Sequence, residues 1–361
     1  MARDSTTIGL DIATSCVRAA ELSRKGGTLR LRRFGQVPLP IGAVHDGEVH
    51  DPQTVGQAIS RLWKAGRFTS KRVSIGVANQ RVVVRHIEIP WTRPADRKTS
   101  LPLMVADQIP MPVDEAIMDF VPLGWETTAE GSRMSKGLLV AADENMVMQV
   151  VKAAQTAGLW VRDVDLSPFA VVRALCHADP LGLRSDAEAI VDIGASTTVI
   201  AIHANGIPHF VRILTIGGQD VTDRLRSELG VNLATAEQLK RDTSLVAGSP
   251  AGSSTAGKGS FDPARVIGDV VGTLVEEIRG SLDYYLATSS GARLSRVVLT
   301  GGGSLAPGFA ERLRDAIHTP VERGVAVAAL GVGETGLSQD HLNYADAMSA
   351  VCVGLAIGSR T

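Results

Sequence analysis

Neither sign of charge is in excess in this 361-residue chain: 37 Lys and Arg stand against 38 Asp and Glu, a net charge of −1. No global field therefore draws it to nucleic acid or to an anionic membrane, and its partners have to be read locally. Cysteine is scarce as well. Cys16, Cys176 and Cys352 are odd in number, far apart and without a CxxC spacing, which excludes a disulfide framework, argues against a zinc site and points to a reducing compartment. No apolar run approaches the ~18 residues of a membrane span. The opening MARDSTT leads straight into a strand without a basic-then-apolar leader, so a cytoplasmic location is expected. The length suggests two domains, each able to bury its own interior.

The chain is organised around residues 190–202, IVDIGASTTVIAI: an apolar run, one aspartate, a tight turn of small residues and a second apolar run. The pattern predicts two buried strands joined by a turn, with Asp192 ending the first strand and backbone N–H groups facing an anion. Residues 8–22, IGLDIATSCVRAAEL, repeat it, with Asp11 where Asp192 lies and Ala13, Thr14, Ser15 and Cys16 in the turn. The aspartates are 181 positions apart, and such a repeat implies a duplicated architecture.

Around the repeats, a third strand is expected over 29–38, where Arg30, Arg32 and Arg33 alternate with apolar residues as the wet face of a half-buried strand. The run HDGEVHD at 45–51 carries several potential metal ligands, but Gly47 and Pro52 make it a turn entering a helix over 53–65, with Asp51 as N-cap. A strand at 72–77 completes the first sheet. Residues 79–160 read as a small α+β unit, with strands over 81–89, 116–124 and 137–142, helices over 99–108 and 144–157, and a polar loop at 127–135. A strand over 159–164 returns to the first sheet, and Ser167 or Asp165 caps a helix running to about residue 177. Helices over 221–229 and 235–241 follow the second turn. The Gly/Ser/Ala-rich stretch at 248–263 lacks GxxxxGK[ST] and reads as a flexible surface excursion. A long helix over 264–289 leads to a strand at 296–300 that ends in Gly301, Gly302 and Gly303, and helices over 307–317 and 344–357 close the chain.

Two aspartate-bearing turns and a late strand-GGG-helix supply the parts needed to hold a nucleoside triphosphate in a cleft between two related domains. At this point the chain resembles the actin-like ATPase superfamily and, within it, the PilM family of type IV pilus assembly proteins, related to the division protein FtsA. Besides the two hairpins, the matching words are DVDLSPFAVVRAL (163–175), IGGQDVTDRL (216–225), AEQLK (236–240), EIRGSLDYY (277–285), VVLTGGGSLAPGFAERL (297–313) and AVCVGLAIG (350–358). RHIEIPW, DQIPMP and MDFVPLG look like that family's extra subdomain. The resemblance implies an α/β, actin-like (ribonuclease H-like) two-domain fold with a nucleotide cleft and an inserted small α+β subdomain. Residues 1–78, completed by 161–187 and 340–361, would be the first domain, 79–160 the insertion, and 188–339 the second domain, with 217–265 as its smaller subdomain.

The same resemblance gives each matched residue a role. ATP and Mg²⁺ would be the cofactors, with Asp11 and Asp192 holding the metal mostly through its waters. Ala13, Thr14 and Ser15 would meet the β- and γ-phosphates, and Arg18 would stand where the superfamily often has a lysine reaching them. Gly194, Ala195, Ser196 and Thr197 would cradle the other side, and Gly301, Gly302 and Gly303 would pass beneath the adenosine. Glu237 and Lys240, one helical turn apart, would flank base and ribose. Ala13 replaces a usual glycine and Ala195 a carboxylate found in some relatives, so binding with slow hydrolysis is expected. Asp165 is the candidate for the base that activates water, with a helix cap as its other reading.

The partner implied is the N-terminal tail of a PilN-like inner-membrane protein, in a groove lined by residues 81–90 and apolar neighbours. Other pilus assembly components and homo-oligomers fit the same picture, with no nucleic acid and no direct membrane anchor. Peripheral attachment to the inner face of the membrane would then come through protein partners. Two alternatives remain: a metabolic kinase of the superfamily, which needs a base aimed at a substrate hydroxyl, and an FtsA-like division protein, which needs an amphipathic C-terminal anchor.

Overall fold

The computed structural model describes residues 5–26, 28–176, 186–245, 262–289, 291–328, 330–332, 335 and 338–358. Strands β1 (Ser5–Ile12), β2 (Cys16–Lys25) and β3 (Thr28–Pro38) form a meander. It is followed by a short hairpin, β4 (Val44–His45) and β5 (Glu48–Val49), helix α1 (Pro52–Gly66) and strand β6 (Arg72–Val77). Next come β7 (Val83–Pro90), α2 (Pro94–Val105), β8 (Ala116–Thr127), β9 (Arg133–Asp143) and α3 (Glu144–Thr156), and then β10 (Trp160–Leu166) and α4 (Ser167–Leu175). A second meander, β11 (Ala187–Ile193), β12 (Thr198–Ala204) and β13 (Ile207–Leu214), leads into α5 (Gly218–Leu229), α6 (Leu233–Asp242) and α7 (Pro263–Thr288). The remaining elements are β14 (Leu294–Thr300), α8 (Phe309–Ile317), β15 (Val321–Arg323), β16 (Gly331–Val332), α9 (Gln339–Met348) and α10 (Ala350–Gly358).

The strand orders make the duplication explicit. One sheet runs β10-β6-β1-β2-β3-β16 and the other β13-β12-β11-β14-β15. In each, an antiparallel meander is extended on the side of its first strand by two parallel strands, β6 and β10 in one case, β14 and β15 in the other. The insertion between β6 and β10 builds its own sheet, β7-β9-β8, over a small core of Ile87, Ile89, Leu101, Val105, Phe120 and Leu139.

The two large sheets do not keep separate interiors. Each buries one face against its own helices, but α4 and α10 form a third cluster in which Ala20, Leu22 and Leu31 of the first sheet share contacts with Ile190, Ala201 and Val298 of the second. The helices approach very closely. A Cβ on Gly354 would lie 1.8 Å from the Ala170 carbonyl, and one on Gly9 would lie 2.0 Å from the Cys352 carbonyl, so a side chain at either place would force the layer apart. This shared layer fixes the relation between the sheets and hence between the two aspartate-bearing turns.

Several elements differ from the sequence expectations. The polar loop expected at 127–135 is shorter, a tight turn over 128–132 in which the Thr128 amide donates to the Ser132 carbonyl, because β8 and β9 pair along nearly their whole length and take in its two ends. Strand β13 was not foreseen, since Pro208, His209 and Arg212 break its apolar pattern. The expected C-terminal helix over 344–357 is two helices, α9 and α10, meeting at Ser349. Arg33 is not simply wet: it reaches the buried Glu21 carboxylate at 2.6 Å. Asp51 caps α1 by accepting from the Gln53 and Thr54 amides. The Gly/Ser/Ala-rich excursion at 248–263 falls, apart from its last two residues, outside the described residues.

Candidate functional site

Both duplicated turns close with the same bond. The Ala13 amide donates to the Cys16 carbonyl at 3.0 Å, and the Gly194 amide donates to the Thr197 carbonyl at 2.9 Å, positions related by the same 181-residue offset as the aspartates. These two amides are consumed in shaping the turns. Ala13 is not among the described non-glycine residues with positive φ, so its methyl is accommodated without left-handed strain.

The turns meet tip to tip, with Thr14 Oγ1 2.6 Å from Ser196 Oγ. Behind them, Asp11 and Arg18 face each other across the first hairpin, Arg18 Nη1 lying 3.2 Å from Asp11 Oδ2. Burial pushes the Asp11 carboxyl above its usual range, against the pull of Arg18. Asp192 is pushed up to about 6 by burial and by the charge of Asp11, again opposed by Arg18. Two carboxylates thus share one guanidinium, and the Arg18 Nε is buried without a hydrogen-bond partner. A site with one carboxylate in excess and one unmatched buried donor fits a bound cation together with an anion. Among the described residues no group of three His, Cys, Asp or Glu stands ready to hold a metal, so any cation here would keep waters or ligand oxygens in its shell.

The triple glycine sits against the base of the second turn. At Gly301, where φ is +82°, a Cβ would lie 2.3 Å from Asp192 Oδ1, and at Gly303 it would lie 2.3 Å from the Ile193 side chain. Gly302 faces Met348 of α9, and the Gly301 amide donates to the Ala347 carbonyl. Gly301 and Gly303 are therefore required by packing inside the protein, whereas a Cβ on Gly302 would meet only the flexible end of Met348.

On the other flank, the first amides of α5 are capped by the turn itself. Gly218 N–H donates to the Gly194 carbonyl at 3.0 Å and Gln219 N–H to the Ala195 carbonyl at 2.6 Å, and a Cβ on Gly217 would collide with both carbonyls. Glu237 and Lys240 are brought to the same place from α6. Lys240 Nζ donates to Gly218 O, Thr222 Oγ1 and Glu237 Oε1 at 2.9, 2.7 and 2.7 Å. Hydrogen bonds from Lys240 and Thr222 hold the Glu237 carboxyl below its usual range against burial, which is the largest and opposing influence. Thr222, fully buried, carries no role in the sequence reading; its only signal there is its place in the word IGGQDVTDRL.

Asp165 lies at the end of β10 opposite Gly76, with β6 between it and the strand that carries Asp11. One carboxylate oxygen accepts from its neighbour's amide, Leu166 N, and the other is ion-paired with Arg173 of α4, whose Nε donates to the Gly354 carbonyl. A carboxylate with both oxygens engaged is poorly set up to take a proton from water, and its side chain does not cap α4 either, whose N-cap is Leu166. Its bonds make it a tie between β10, α4 and α10.

Two sheets of one topology, packed across shared helices with matching acidic turns at their meeting point, define the actin-like ATPase class, a fold that implies nucleotide binding. The type IV pilus assembly protein PilM family matches residues 9–360, and the chain belongs to that family. A solved PilM-PilN type IV pilus biogenesis complex matches at a TM-score of 0.79 and 25% identity over 97% of both chains. FtsA of Streptococcus pneumoniae is 25% identical over 89% of this chain and 76% of its own length, and FtsA of Pseudomonas aeruginosa is 26% identical over 90% and 84%. ADP-bound MreB5 of Spiroplasma citri, at a TM-score of 0.53 and 13% identity over 98% of this chain and 95% of its own, shares the fold alone. No described helix is long and apolar enough to cross a membrane.

Proposed function

We propose that the chain binds ATP with Mg²⁺ between the duplicated turns and uses the bound state to set its grip on the tail of a PilN-like inner-membrane protein in pilus or related secretion assembly. The reading rests above all on the tip-to-tip meeting of Thr14 and Ser196 over Asp11, Asp192 and Arg18. Asp11 and Asp192 supply charge for the metal and its waters, Arg18 and the turn residues Thr14, Ser15, Ala195, Ser196 and Thr197 the phosphate contacts, and Gly301, Gly302 and Gly303 the floor under the nucleoside. The metal, when bound, draws negative charge off the phosphates. With Asp165 engaged by Arg173, hydrolysis is slow. The domain division is taken as 1–78 with 161–187 and 340–361, an inserted 79–160, and 188–339.

For the tail we take the opposite edge of the inserted sheet from residues 81–90, which the resemblance implies. Strand β7 pairs with β9 on one side and abuts β13 on the other, where His86 Nε2 meets the His209 carbonyl at 3.1 Å. The opposite edge of the same sheet, β8, leaves Ile117, Val121 and Leu123 exposed. Beside its start lies a cavity of about 370 Å³ lined by Asp114, Glu115, Asp143, Glu144, Asn145 and Met148. An extended segment carrying both basic and apolar residues complements that lining. Through such a tail the protein would be held at the inner face of the membrane.

The deciding experiment is titration of a labelled ATP analogue with and without Mg²⁺ on the full chain, beside Asp11→Ala and Asp192→Ala. Each substitution removes charge that holds the metal and is expected to weaken Mg²⁺-dependent binding at least tenfold, about 1.4 kcal/mol. Binding that ignores both Mg²⁺ and the substitutions would overturn the reading.

A further inference from the structure

We infer that the surface between the end of α1 and the start of β10 is a basic, aromatic face that lies on an anionic lipid surface, met by Arg61, Lys64, Arg67, Lys71, Arg72 and Trp160. It is a surface contact that adds to the proposed tail rather than an inserted anchor. Residues 60–72, SRLWKAGRFTSKR, hold five cations and no acid in a chain whose net charge is −1. All five cations are exposed, and the described carboxylates that come near are engaged elsewhere. Glu21 is buried and accepts from Arg33 and from the amide and hydroxyl of Thr69, while Asp163 of β10 faces Arg162 and Ser74. The dipole of α1 favours cations at its C-terminal end, but that end carries only about half a negative charge against five positive ones.

The face is firmly built. Arg67 caps α1 in the left-handed region at φ +51°, Trp63 Nε1 donates to the Ser70 carbonyl at 2.9 Å, and the rings of Trp63 and Phe68 lie 4.9 Å apart. The Trp160 amide donates to the Lys71 carbonyl at 2.8 Å and Trp160 pairs with Arg72 in the sheet, which sets an indole that is 73% exposed among the cations. Lysines and arginines around an indole are the side chains of a membrane interface, where anionic headgroups draw the charges and the ring settles at headgroup level. Helix α3 leads from the acidic cavity, at Glu144, to the turn before Trp160, a rise of roughly 20 Å over its 13 residues. A tail that comes from a membrane into that cavity therefore brings this face within reach of the same surface. The inference rests on the tail reading only for this proximity.

The test uses the full chain without tail peptide and vesicles of phosphatidylglycerol with phosphatidylethanolamine, beside vesicles of phosphatidylcholine alone. The expected result is sedimentation with the anionic vesicles only, at about 0.1 M salt, and release towards 1 M, where the screening length falls from about 10 Å to about 3 Å. Lys64→Gln, Arg67→Gln and Lys71→Gln together are expected to weaken binding about a hundredfold, since each cation near an anionic leaflet is worth roughly fivefold. Arg212→Gln, Arg265→Gln and Arg279→Gln remove the same charge from exposed positions of the second domain and should change it far less. Trp160→Ser should weaken binding without altering its salt dependence, and the emission that Trp160→Phe removes should move to shorter wavelength on the anionic vesicles. No binding to those vesicles, or an equal loss in the two triple variants, would overturn the inference. Binding of polyglutamate without binding of vesicles would also overturn it and assign the face to an acidic protein. A tail peptide that fails to bind a chain still held by the vesicles would sink the tail reading alone.

Discussion

Thr14 Oγ1 and Ser196 Oγ lie 2.6 Å apart across 182 residues of chain, one from each half of the duplicated architecture. Both hydroxyls hold a donor and acceptor that a phosphate oxygen can take over, so ligand binding exchanges one hydroxyl–hydroxyl bond for bonds to an anion. Thr14→Val and Ser196→Ala are each expected to weaken binding of the ATP analogue by about tenfold, since a hydrogen bond to a charged group is worth roughly 1.5–3 kcal/mol. The double variant should lose less than the two single losses combined, because the residues act on one ligand group. Isothermal titration of the four proteins checks this; strictly additive losses would mean that the turns grip independently.

Asp192 gives the site a pH dependence whose sign is fixed by its raised value of about 6. The folded metal-free chain binds this proton more tightly than the unfolded chain, where a carboxyl titrates near 3.8. The group therefore favours folding below about pH 4, and that contribution, at most roughly 3 kcal/mol, fades as pH rises through about 6. Asp192→Asn is accordingly expected to raise the metal-free melting temperature at pH 7.5 and to leave it unchanged near pH 4. Binding of Mg²⁺ with nucleotide runs the other way, since protons compete with the metal, and it should weaken in the wild type as pH falls through about 6. Thermal melts from pH 4 to 8 with and without Mg²⁺ and the analogue test both signs.

Much of this arrangement was legible in the sequence because it rests on local chemistry. An aspartate ending an apolar run before small turn residues marks a strand-turn-strand wherever it falls, and Asp11 and Asp192 stand in matching places in the folded sheets. The tie of Lys240 was not legible. Helical spacing brings Glu237 and Lys240 together, but nothing in it says that α5 will carry Thr222 and the Gly218 carbonyl into the same place. Strand β13 escaped for a related reason: an edge strand half open to water needs no apolar alternation, and its pairing with β12 outweighs its composition. The ion pair of Asp165 with Arg173 was not legible either, because a carboxylate at the end of a strand gives no local sign of a partner on the following helix.

Asp165→Asn tests the role of that pair. The Asp165–Arg173 pair is partly exposed, with side chains 28% and 31% accessible, so its loss should cost about 0.5–1 kcal/mol. A general base would cost far more in turnover, commonly a factor of roughly 10² to 10⁴. The expected result is a slightly lower melting temperature with ATP turnover per bound nucleotide unchanged. A loss of turnover a hundredfold or greater at unchanged affinity would return Asp165 to the chemistry.

A tail seated in the acidic cavity beside β8, as proposed, is expected to bind with a sensitivity to salt and charge. Glu115→Lys and Glu144→Lys reverse charge in its lining and are expected to weaken a basic tail peptide about tenfold each at low salt, with the difference from wild type shrinking towards 1 M salt. Ile117→Ser should weaken the same peptide with little change in its salt dependence, since it removes apolar area and no charge. Fluorescence anisotropy across a salt series separates the two effects. Equal salt dependence in all variants would move the tail elsewhere on the inserted sheet.

The seam between β7 and β13 connects that partner site to the cleft. Gln80 Nε2 donates to Thr215 Oγ1 at 2.9 Å, and Thr215 stands two residues before Gly217, whose neighbours hold the second turn. His86 and His209 lie 5.7 Å apart along the same seam, and burial, aided by His86, keeps the His209 ring below its usual value and so neutral near pH 7. Any rotation that opens the cleft has to part these contacts, so they resist nucleotide release. Gln80→Ala and Thr215→Val are each expected to speed release of the bound analogue roughly two- to tenfold, the range for one neutral hydrogen bond, and the pair together should be no faster than either alone. Stopped-flow displacement measures the rates. A double variant as fast as the product of the two single effects would show that the residues act separately and that the inserted sheet does not brace the cleft.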